Sequence, residues 1–232
     1  MISVSITEAW KAAHAGALIG ILEVSQADNT VSCLELNERK RALEASLRTR
    51  YKGFGRSDFV SMPVLSDYVR YYKSFDKTYH VLLQLESIVV KGKSFPNVSP
   101  LVDANFVSEV ETLVVTAGHD VAHLRLPVCI DVSRAGDSLV QMGGSTKSMP
   151  AGDMVMRDAG GMSCSIIYGQ DNRSPITSRT RHALYVAYAP RGVPEAAVES
   201  QLRGTLGYIR TFAPNCMVEQ QTLLKAQSAA RL

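Results

Sequence analysis

Residues 99–108 read SPLVDANFVS, and they carry the clearest structural signal in the chain. After a loop that contains Pro96 and Pro100, the pattern predicts a short helix over residues 101–111 with a polar start. Asp103 and Asn105 fall at this start, where short polar side chains can satisfy backbone N–H groups that have no partner within the helix. A short connection then leads to residues 118–120, which read GHD.

A second group of polar and glycine-rich segments lies further along the chain. Residues 142–144 read MGG, and residues 169–177 read GQDNRSPIT, followed by Thr180. A glycine pair lets a backbone approach a ligand or a neighbouring strand closely. Residues 171–174 combine carboxylate, amide, guanidinium and hydroxyl groups in one loop. These groups either contact a ligand or satisfy the hydrogen bonds of a tight turn, and the sequence leaves both interpretations open.

The order and spacing of these stretches resemble the B3/B4 domain of phenylalanyl-tRNA synthetase β subunits, the module that inspects misacylated tRNA. Residues 102–107, VDANFV, are similar to the V-D-x-x-N-Y-V helix of that family, with one residue fewer between Asp103 and Asn105. Residues 171–180 are similar to its D-x-R-S-x-x-T-x-x-T loop. The likeness covers roughly residues 95–190, and the helical segment before it resembles free-standing members of the family.

The resemblance implies an α+β fold, with mixed and antiparallel sheets in a sandwich-like core and helices packed outside. It also implies a pocket between the two stretches for an aminoacyl group or a similar small polar molecule. The predicted ligand-pocket residues are Asn105, Gly118, Gly143, Gly144, Arg173, Ser174, Thr177, Tyr185 and Tyr188.

The catalytic groups of the synthetase domain are missing from this sequence. The family's histidine falls near Thr116 or Ala117, and its glutamate falls at Tyr185 or Tyr188. Hydrolysis of an ester needs a positioned water and donors for the developing oxyanion. The remaining catalytic candidates are His119, Asp171 and Asn172.

Three functions therefore compete. The first is a trans-acting deacylase that frees tRNA from a wrong amino acid. The second is a module that binds tRNA, or an amino-acid-like small molecule, without turnover. The third is a small-molecule enzyme that reuses the pocket. Nothing resembles an ATP-binding synthetase core, so we do not expect aminoacyl-tRNA ligase activity.

The net charge is only +3, so the basic residues matter by their distribution. One group lies within residues 39–56 and a second within residues 173–191. Either group predicts phosphate contacts, although a solvated surface is the competing interpretation. The residues assigned to RNA contact are Arg39, Lys40, Arg48, Arg50, Arg179 and Arg181. The expected partner is tRNA or aminoacyl-tRNA rather than DNA.

The sequence does not predict a metal site or a membrane-spanning segment. The four cysteines are scattered without a C-x-x-C pair, and His119 and His123 lack a third ligand, so no metal and no cofactor is expected. The longest apolar run, residues 17–22, is too short to span a bilayer, and no signal peptide is recognisable. A cytoplasmic protein with reduced thiols is the prediction.

The element pattern favours one domain over residues 1–232, with a lead-in (1–93), a core (94–190), and a closing helix and tail (191–232). Strands are predicted at residues 2–6, 17–24, 128–132, 139–142, 153–157, 164–168 and 183–189. Helices are predicted at residues 8–14, 37–50, 64–75, 79–91, 101–111 and 194–212. The tail after Thr222 is expected to fray. Four tyrosines at helical spacing are either a base-stacking platform or, as we favour, core packing: Tyr68, Tyr71, Tyr72 and Tyr79.

Overall fold

The computed structural model describes residues 1–30 and 33–226. Seven α-helices lie within these residues. They are α1 (Glu8–Ala13), α2 (Leu34–Arg50), α3 (Arg56–Val60), α4 (Pro63–Lys73), α5 (His80–Val89), α6 (Pro100–Thr112) and α7 (Glu195–Ile209). Every predicted helix is confirmed, with bounds that differ by a few residues.

Eleven strands accompany the helices in the described part of the chain. They are β1 (Val4–Ile6), β2 (Leu18–Ser25), β3 (Thr116–Asp120), β4 (Val128–Val132), β5 (Ser138–Val140), β6 (Thr146–Ser148), β7 (Met154–Asp158), β8 (Gly161–Ser165), β9 (Gly169–Gln170), β10 (Ala183–Ala189) and β11 (Met217–Lys225).

One sheet is antiparallel and has the strand order β11-β2-β10-β3. Its inner strand β10 reads ALYVAYA, and all seven residues are buried. Such a continuous apolar run is what a strand covered on both faces requires. Helix α7 packs on β2 and β10. Gly20 permits this approach, because a Cβ atom there would lie 2.7 Å from Val198 Cγ1.

The second sheet has the order β1-β4-β7-β8-β9. Strands β1 and β4 run parallel, with Val4 opposite Val128, whereas the other neighbours run antiparallel. Strands β5 and β6 form a separate hairpin. The predicted α+β class with mixed and antiparallel sheets is therefore confirmed.

The start of α6 is satisfied differently from the prediction. Ser99 at the N-cap makes no side-chain cap. Instead the Oδ1 atom of Asn29, from a distant loop, accepts the Leu101 N–H at 2.8 Å. Asp103 accepts a hydrogen bond at 2.9 Å from the N–H of Val98, a residue that precedes the helix. Asn105 does not cap the helix either; it joins α6 to β3 and α7, as described below.

The tyrosines of α4 and the segment after it belong to the core, as favoured from the sequence. The rings of Tyr68 and Tyr79 stack with centroids 4.4 Å apart. The hydroxyl of Tyr68 donates to the Tyr188 carbonyl at 2.7 Å. Tyr72 is buried, and Tyr71 is partly buried and donates to Asp153 Oδ1 at 2.7 Å. These contacts leave no exposed stacking platform on this face.

Several elements escaped the sequence prediction. Strand β3 reads TAGHD and has no apolar alternation, yet it pairs with β10 with Gly118 opposite Tyr185. The predicted strand over residues 164–168 ends at Ser165, and strand β8 begins earlier, at Gly161. Residues up to Lys225 pair with β2 in β11 rather than fray. The rest of the predicted fraying tail, residues 227–232, lies outside the described residues.

Candidate functional site

A cavity of about 210 Å³ lies between the two motif stretches. The first stretch contributes Val102 and Asn105, and the second contributes Gly169, Gln170 and Ile176. Further walls come from α5, β3, β8 and β10. The volume is below the usual range for drug-sized ligands of about 300–1,000 Å³, so the cavity matches a small group such as an amino-acid side chain.

Gly118 keeps the cavity open at β3. A Cβ atom at this position would lie 2.8 Å from Ile176 Cδ1 and 3.0 Å from Tyr185 Cε1. The Tyr185 ring is buried beneath it, and its hydroxyl donates to the Leu101 carbonyl at 3.0 Å. Any side chain at Gly118 would therefore crowd the two residues that flank the cavity. This is the close approach for which a glycine is needed.

Asn105 lines the cavity and joins three elements. Its Nδ2 atom donates to the Thr116 carbonyl on β3 at 2.9 Å. Its Oδ1 atom accepts from Gln201 Nε2 on α7 at 3.3 Å. Both polar atoms are thus occupied within the protein. Asn105 fixes one wall of the cavity, and its amide is not directed to a ligand in this arrangement.

Glu109 places a carboxyl group in the cavity wall, one turn after Asn105 on α6. The residue is 5% exposed, and its Oε1 atom accepts a hydrogen bond from the Thr116 N–H. Burial raises the pKa of this carboxyl to about 8, with the Thr116 hydrogen bond opposing the shift. Glu109 is therefore mostly a neutral carboxylic acid at pH 7, which can donate a hydrogen bond to an oxygen atom.

His80 places an imidazole in the same cavity from the start of α5. Its Nδ1 atom lies 3.2 Å from the Tyr72 hydroxyl, which gives its single proton to the Ile166 carbonyl. Tyr72 therefore accepts from His80, so Nδ1 carries the proton and Nε2 keeps its lone pair. Burial lowers the pKa of His80 to about 4, and the ring is neutral at pH 7.

Tyr188 adds a polar atom to the apolar end of the cavity. Its hydroxyl is buried, and within the described residues it finds no hydrogen-bond partner. It lies beside the Cys164 thiol, whose pKa burial raises to about 12. A thiol in this state is not a nucleophile at neutral pH. Cys164 therefore acts as an apolar part of the wall.

His119, Ser174 and Asp171 form a buried chain behind the cavity. His119 Nδ1 lies 2.7 Å from Ser174 Oγ, which donates to Asp171 Oδ1 at 2.8 Å. Because Ser174 gives its proton to Asp171, it is the link between the two partners and not an activated nucleophile. Burial lowers the pKa of His119 to about 3. None of the three residues lines the cavity.

A second depression is lined by sequence neighbours of these three residues, and we call it the basic groove. It encloses about 540 Å³. Its lining residues are Asp120, Ala122, His123, Asn172, Arg173, Pro175, Thr177, Arg179, Arg181 and His182. The predicted site residues Asn172, Arg173 and Thr177 thus face the groove and not the cavity. Arg173 is held by Asp158 and Asp171, at 3.0 and 2.8 Å.

Gly143 and Gly144 line neither the cavity nor the basic groove. They form the turn of the β5–β6 hairpin, and a Cβ atom on either would meet nothing within 4 Å. Gly144 has φ +81°, which accounts for glycine at that position. Met142, next to them, does line the cavity and is 61% exposed. The hairpin therefore reaches the cavity mouth through Met142 and not through the glycines.

The structure corrects the assignment of Lys40 to RNA contact. Lys40 is 3% exposed. Its ammonium contacts Asp103 Oδ2, the Pro96 carbonyl and Asn97 Oδ1, each at 2.6 Å. A buried cation needs such compensation, and this one has no access to phosphate. Lys40 lies in a run of basic residues on α2, and the sequence alone does not show which member of that run is buried.

The other five predicted RNA-contact residues lie at or near the surface, but their engagement differs. Arg39 pairs with Glu35, Arg48 donates to three main-chain carbonyls, and Arg50 lies over the Tyr51 ring. Arg181 contacts two carbonyls and lies 3.4 Å from Asp28. Arg179 is exposed at the rim of the basic groove. The structure brings only Arg179 and Arg181 together in a concave surface.

The sequence did not identify the imidazole and the carboxyl group that line the cavity. The family positions of the histidine and the glutamate fall near Thr116 and near Tyr185. The structure instead supplies His80 from α5 and Glu109 from α6. Glu109 lies four residues after Asn105 on one helix face, so its place was within reach of helical periodicity. His80 comes from the lead-in, and only the tertiary fold brings it to the cavity.

No group of three or more potential metal ligands occurs among residues 1–30 and 33–226. Over the same residues, no helix is both long and apolar enough to cross a membrane.

Comparisons with known proteins give a distant likeness. No family model matches the chain, and no curated protein matches it. Among solved structures, the chain is similar to an N-terminal fragment of the phenylalanyl-tRNA synthetase β subunit from Pyrococcus horikoshii, with a TM-score of 0.46 and 7% sequence identity. The match covers 96% of this chain and 50% of that chain.

Proposed function

We propose that this chain is a trans-acting deacylase that hydrolyses the ester of an aminoacyl-tRNA, with the cavity as its acyl site. One observation carries the proposal: the cavity between the two B3/B4-like stretches holds a neutral imidazole and a neutral carboxylic acid. These two groups would perform the roles of the histidine and the glutamate that the family has and this sequence lacks. The sequence resemblance supplies the substrate class.

The reaction needs one water and two proton transfers. The water oxygen attacks the ester carbonyl carbon while His80 Nε2 accepts the water proton. Glu109 donates a hydrogen bond to the carbonyl oxygen as it becomes an oxyanion. The carbon–oxygen bond to the ribose then breaks, and the proton on His80 passes to the leaving oxygen. The products are the free amino acid and the tRNA with its hydroxyl restored.

The test is release of amino acid from a panel of misacylated tRNAs. We expect His80→Asn to lower the rate by about 10²-fold or more, the usual contribution of a general base. His14→Asn is the matched control, because His14 is also a partly buried histidine with a pKa of about 4 but lines a different cavity. Equal rates for the two variants would contradict the role of His80.

Glu109 is tested by two variants. Glu109→Gln keeps a hydrogen-bond donor, so we expect it to retain most activity, whereas Glu109→Ala loses it. Wild-type activity, corrected for spontaneous hydrolysis, is expected to fall as the pH rises through about 8, where Glu109 ionises. The Gln variant is expected to lack this fall. Identical pH profiles for the two proteins would exclude Glu109 as the donor.

A binding module without turnover is the second candidate. It is favoured by the low pKa of His80, about 4, which makes this imidazole a weak base. This candidate predicts that no misacylated tRNA in the panel is hydrolysed, while an amino-acid-like ligand still binds in the cavity. Gly118→Val would then abolish binding, because the added side chain enters the space beside Ile176 and Tyr185. A small-molecule enzyme predicts that small esters are hydrolysed while none of the misacylated tRNAs in the panel is.

A further inference from the structure

A second compartment adjoins the cavity at His80, and we call it the α5 groove. It encloses about 360 Å³. Its lining residues are His80, Leu83, Gln84, Ser87, Ile88, Lys93, Ser94, Pro96 and Phe106. Residues 80, 84 and 87 recur at helical spacing and thus share one face of α5. His80 is the residue common to the groove and the cavity, so its side chain borders both spaces.

The chemistry of the α5 groove is mostly apolar with a few polar groups. Leu83 is 41% exposed although it is a large aliphatic residue. Phe106 is partly buried and packs edge-on against Phe95, with ring centroids 5.7 Å apart. The Oε1 atom of Gln84 is buried and lacks a hydrogen-bond partner within the described residues. Such an atom costs free energy unless a donor reaches it. Lys93 is exposed at the rim.

We propose that the α5 groove binds the nucleoside at the alcohol side of the ester, an inference that rests on the deacylase proposed above. The apolar walls match the faces of a base. The exocyclic amine of adenine supplies the donor that Gln84 Oε1 lacks. Lys93 provides a cation for the 5′-phosphate. With the acyl group in the cavity and the nucleoside in the α5 groove, the ester bond between them lies at His80.

The position of His80 between the cavity and the α5 groove suits an ester hydrolase. An ester hydrolase must hold both halves of its substrate and place its base at the bond that joins them. The cavity encloses only about 210 Å³, which is below the usual range for larger ligands of about 300–1,000 Å³, so it does not hold a nucleoside in addition to the acyl group. The α5 groove supplies an apolar surface and a cation on the other side of the same imidazole. Nucleoside recognition is then separate from recognition of the amino acid.

The test is direct binding of adenosine 5′-monophosphate, measured by calorimetry and by NMR. We expect millimolar or tighter binding, weakened about tenfold or more by Ser87→Trp, which fills the groove. Lys93→Ala is expected to weaken adenosine 5′-monophosphate about tenfold and adenosine hardly at all, since only the phosphate contact is lost. Lys91→Ala is the matched control, an exposed lysine of the same segment outside the groove.

Two outcomes overturn the inference. One is absence of binding to the wild type at millimolar nucleotide, and the other is unchanged affinity in both Ser87→Trp and Lys93→Ala. Hydrolysis of an amino-acid methyl ester separates this result from the proposed function, because that substrate has no nucleoside. His80-dependent hydrolysis of the methyl ester with no nucleotide binding leaves the deacylase standing and removes the groove. Nucleotide binding without any hydrolysis supports the nucleotide site in the α5 groove and contradicts the deacylase.

Discussion

Glu109 carries a carboxyl group where burial opposes its charge. Its pKa is about 8 in the folded protein and 4.5 in the absence of the fold. Between these values the folded state keeps a proton that the unfolded state has released. The free energy of unfolding therefore falls as the pH rises from about 4.5 to about 8, by at most about 1.4 kcal/mol per pH unit. The contribution is fully present below this window and lost above it.

Glu109→Gln removes this ionisation while the amide oxygen still accepts the Thr116 N–H. We expect the variant to match the wild type below about pH 4.5 and to exceed its free energy of unfolding progressively up to about pH 8. Urea titrations of both proteins at several pH values measure the difference. Other buried groups, such as Asp153 with a pKa raised to about 7, are common to both proteins and cancel. Parallel pH curves would contradict the shifted pKa.

Among elements, the joint between α2 and α6 depends on one buried ion pair. Lys40 on α2 lies 2.6 Å from Asp103 on α6, and both are nearly inaccessible. Removing one partner leaves an uncompensated buried charge. We therefore expect Lys40→Ala to lower the free energy of unfolding by about 3–5 kcal/mol. Lys52→Ala, at an exposed position just after the same helix, is the control and is expected to change it little.

A second variant separates the charge from the packing. The double change Lys40→Met with Asp103→Leu removes both charges and replaces them by apolar side chains. Apolar replacement of a buried ion pair is often neutral or stabilising, so the double variant is expected to recover most of the loss. The measurement is again denaturant unfolding. A double variant as unstable as Lys40→Ala would indicate that the hydrogen bonds to Pro96, Asn97 and Val98, rather than the ion pair, hold the two helices together.

Elements with strong local patterns were predictable from the sequence, and those defined by partners were not. Strand β10 is a continuous apolar run, and its predicted bounds agree with the structure. Strand β3 contains Gly118 and His119 and becomes a strand by pairing with β10. The cap of α6 comes from Asn29, about seventy residues earlier, which no local pattern indicates. The same limit applies to the site.

The site shows this limit residue by residue. Asn105, Tyr185 and Tyr188 were assigned to the pocket and do line the cavity. His119 was a catalytic candidate by residue type, but it belongs to a buried chain with Ser174. On β3 the residues Thr116, Ala117 and Gly118 line the cavity, whereas the imidazole of His119 contacts Ser174 and Gln170. Residue type identifies chemistry, whereas the face and the partner elements decide where that chemistry is available.

At the scale of the whole molecule, the net charge of +3 gives little general attraction for RNA, so its location decides binding. Lys40 is buried, and Arg173, although partly exposed, is held by two carboxylates, so neither cation is free to pair with phosphate. Arg39 is paired with Glu35. Arg179 and Arg181 remain together in the lining of the basic groove. We therefore expect tRNA phosphates to contact this groove.

The prediction is that the double variant Arg179→Glu with Arg181→Glu weakens binding of total tRNA and lowers its salt dependence. Two lost phosphate contacts reduce the slope of log affinity against log salt by roughly 2. The control is Arg39→Glu with Arg50→Glu, which changes the net charge by the same amount on a different surface. Fluorescence anisotropy across a salt series measures both. Equal losses in the two variants would show that overall charge governs binding, and no salt-sensitive binding near micromolar protein would exclude tRNA as the partner.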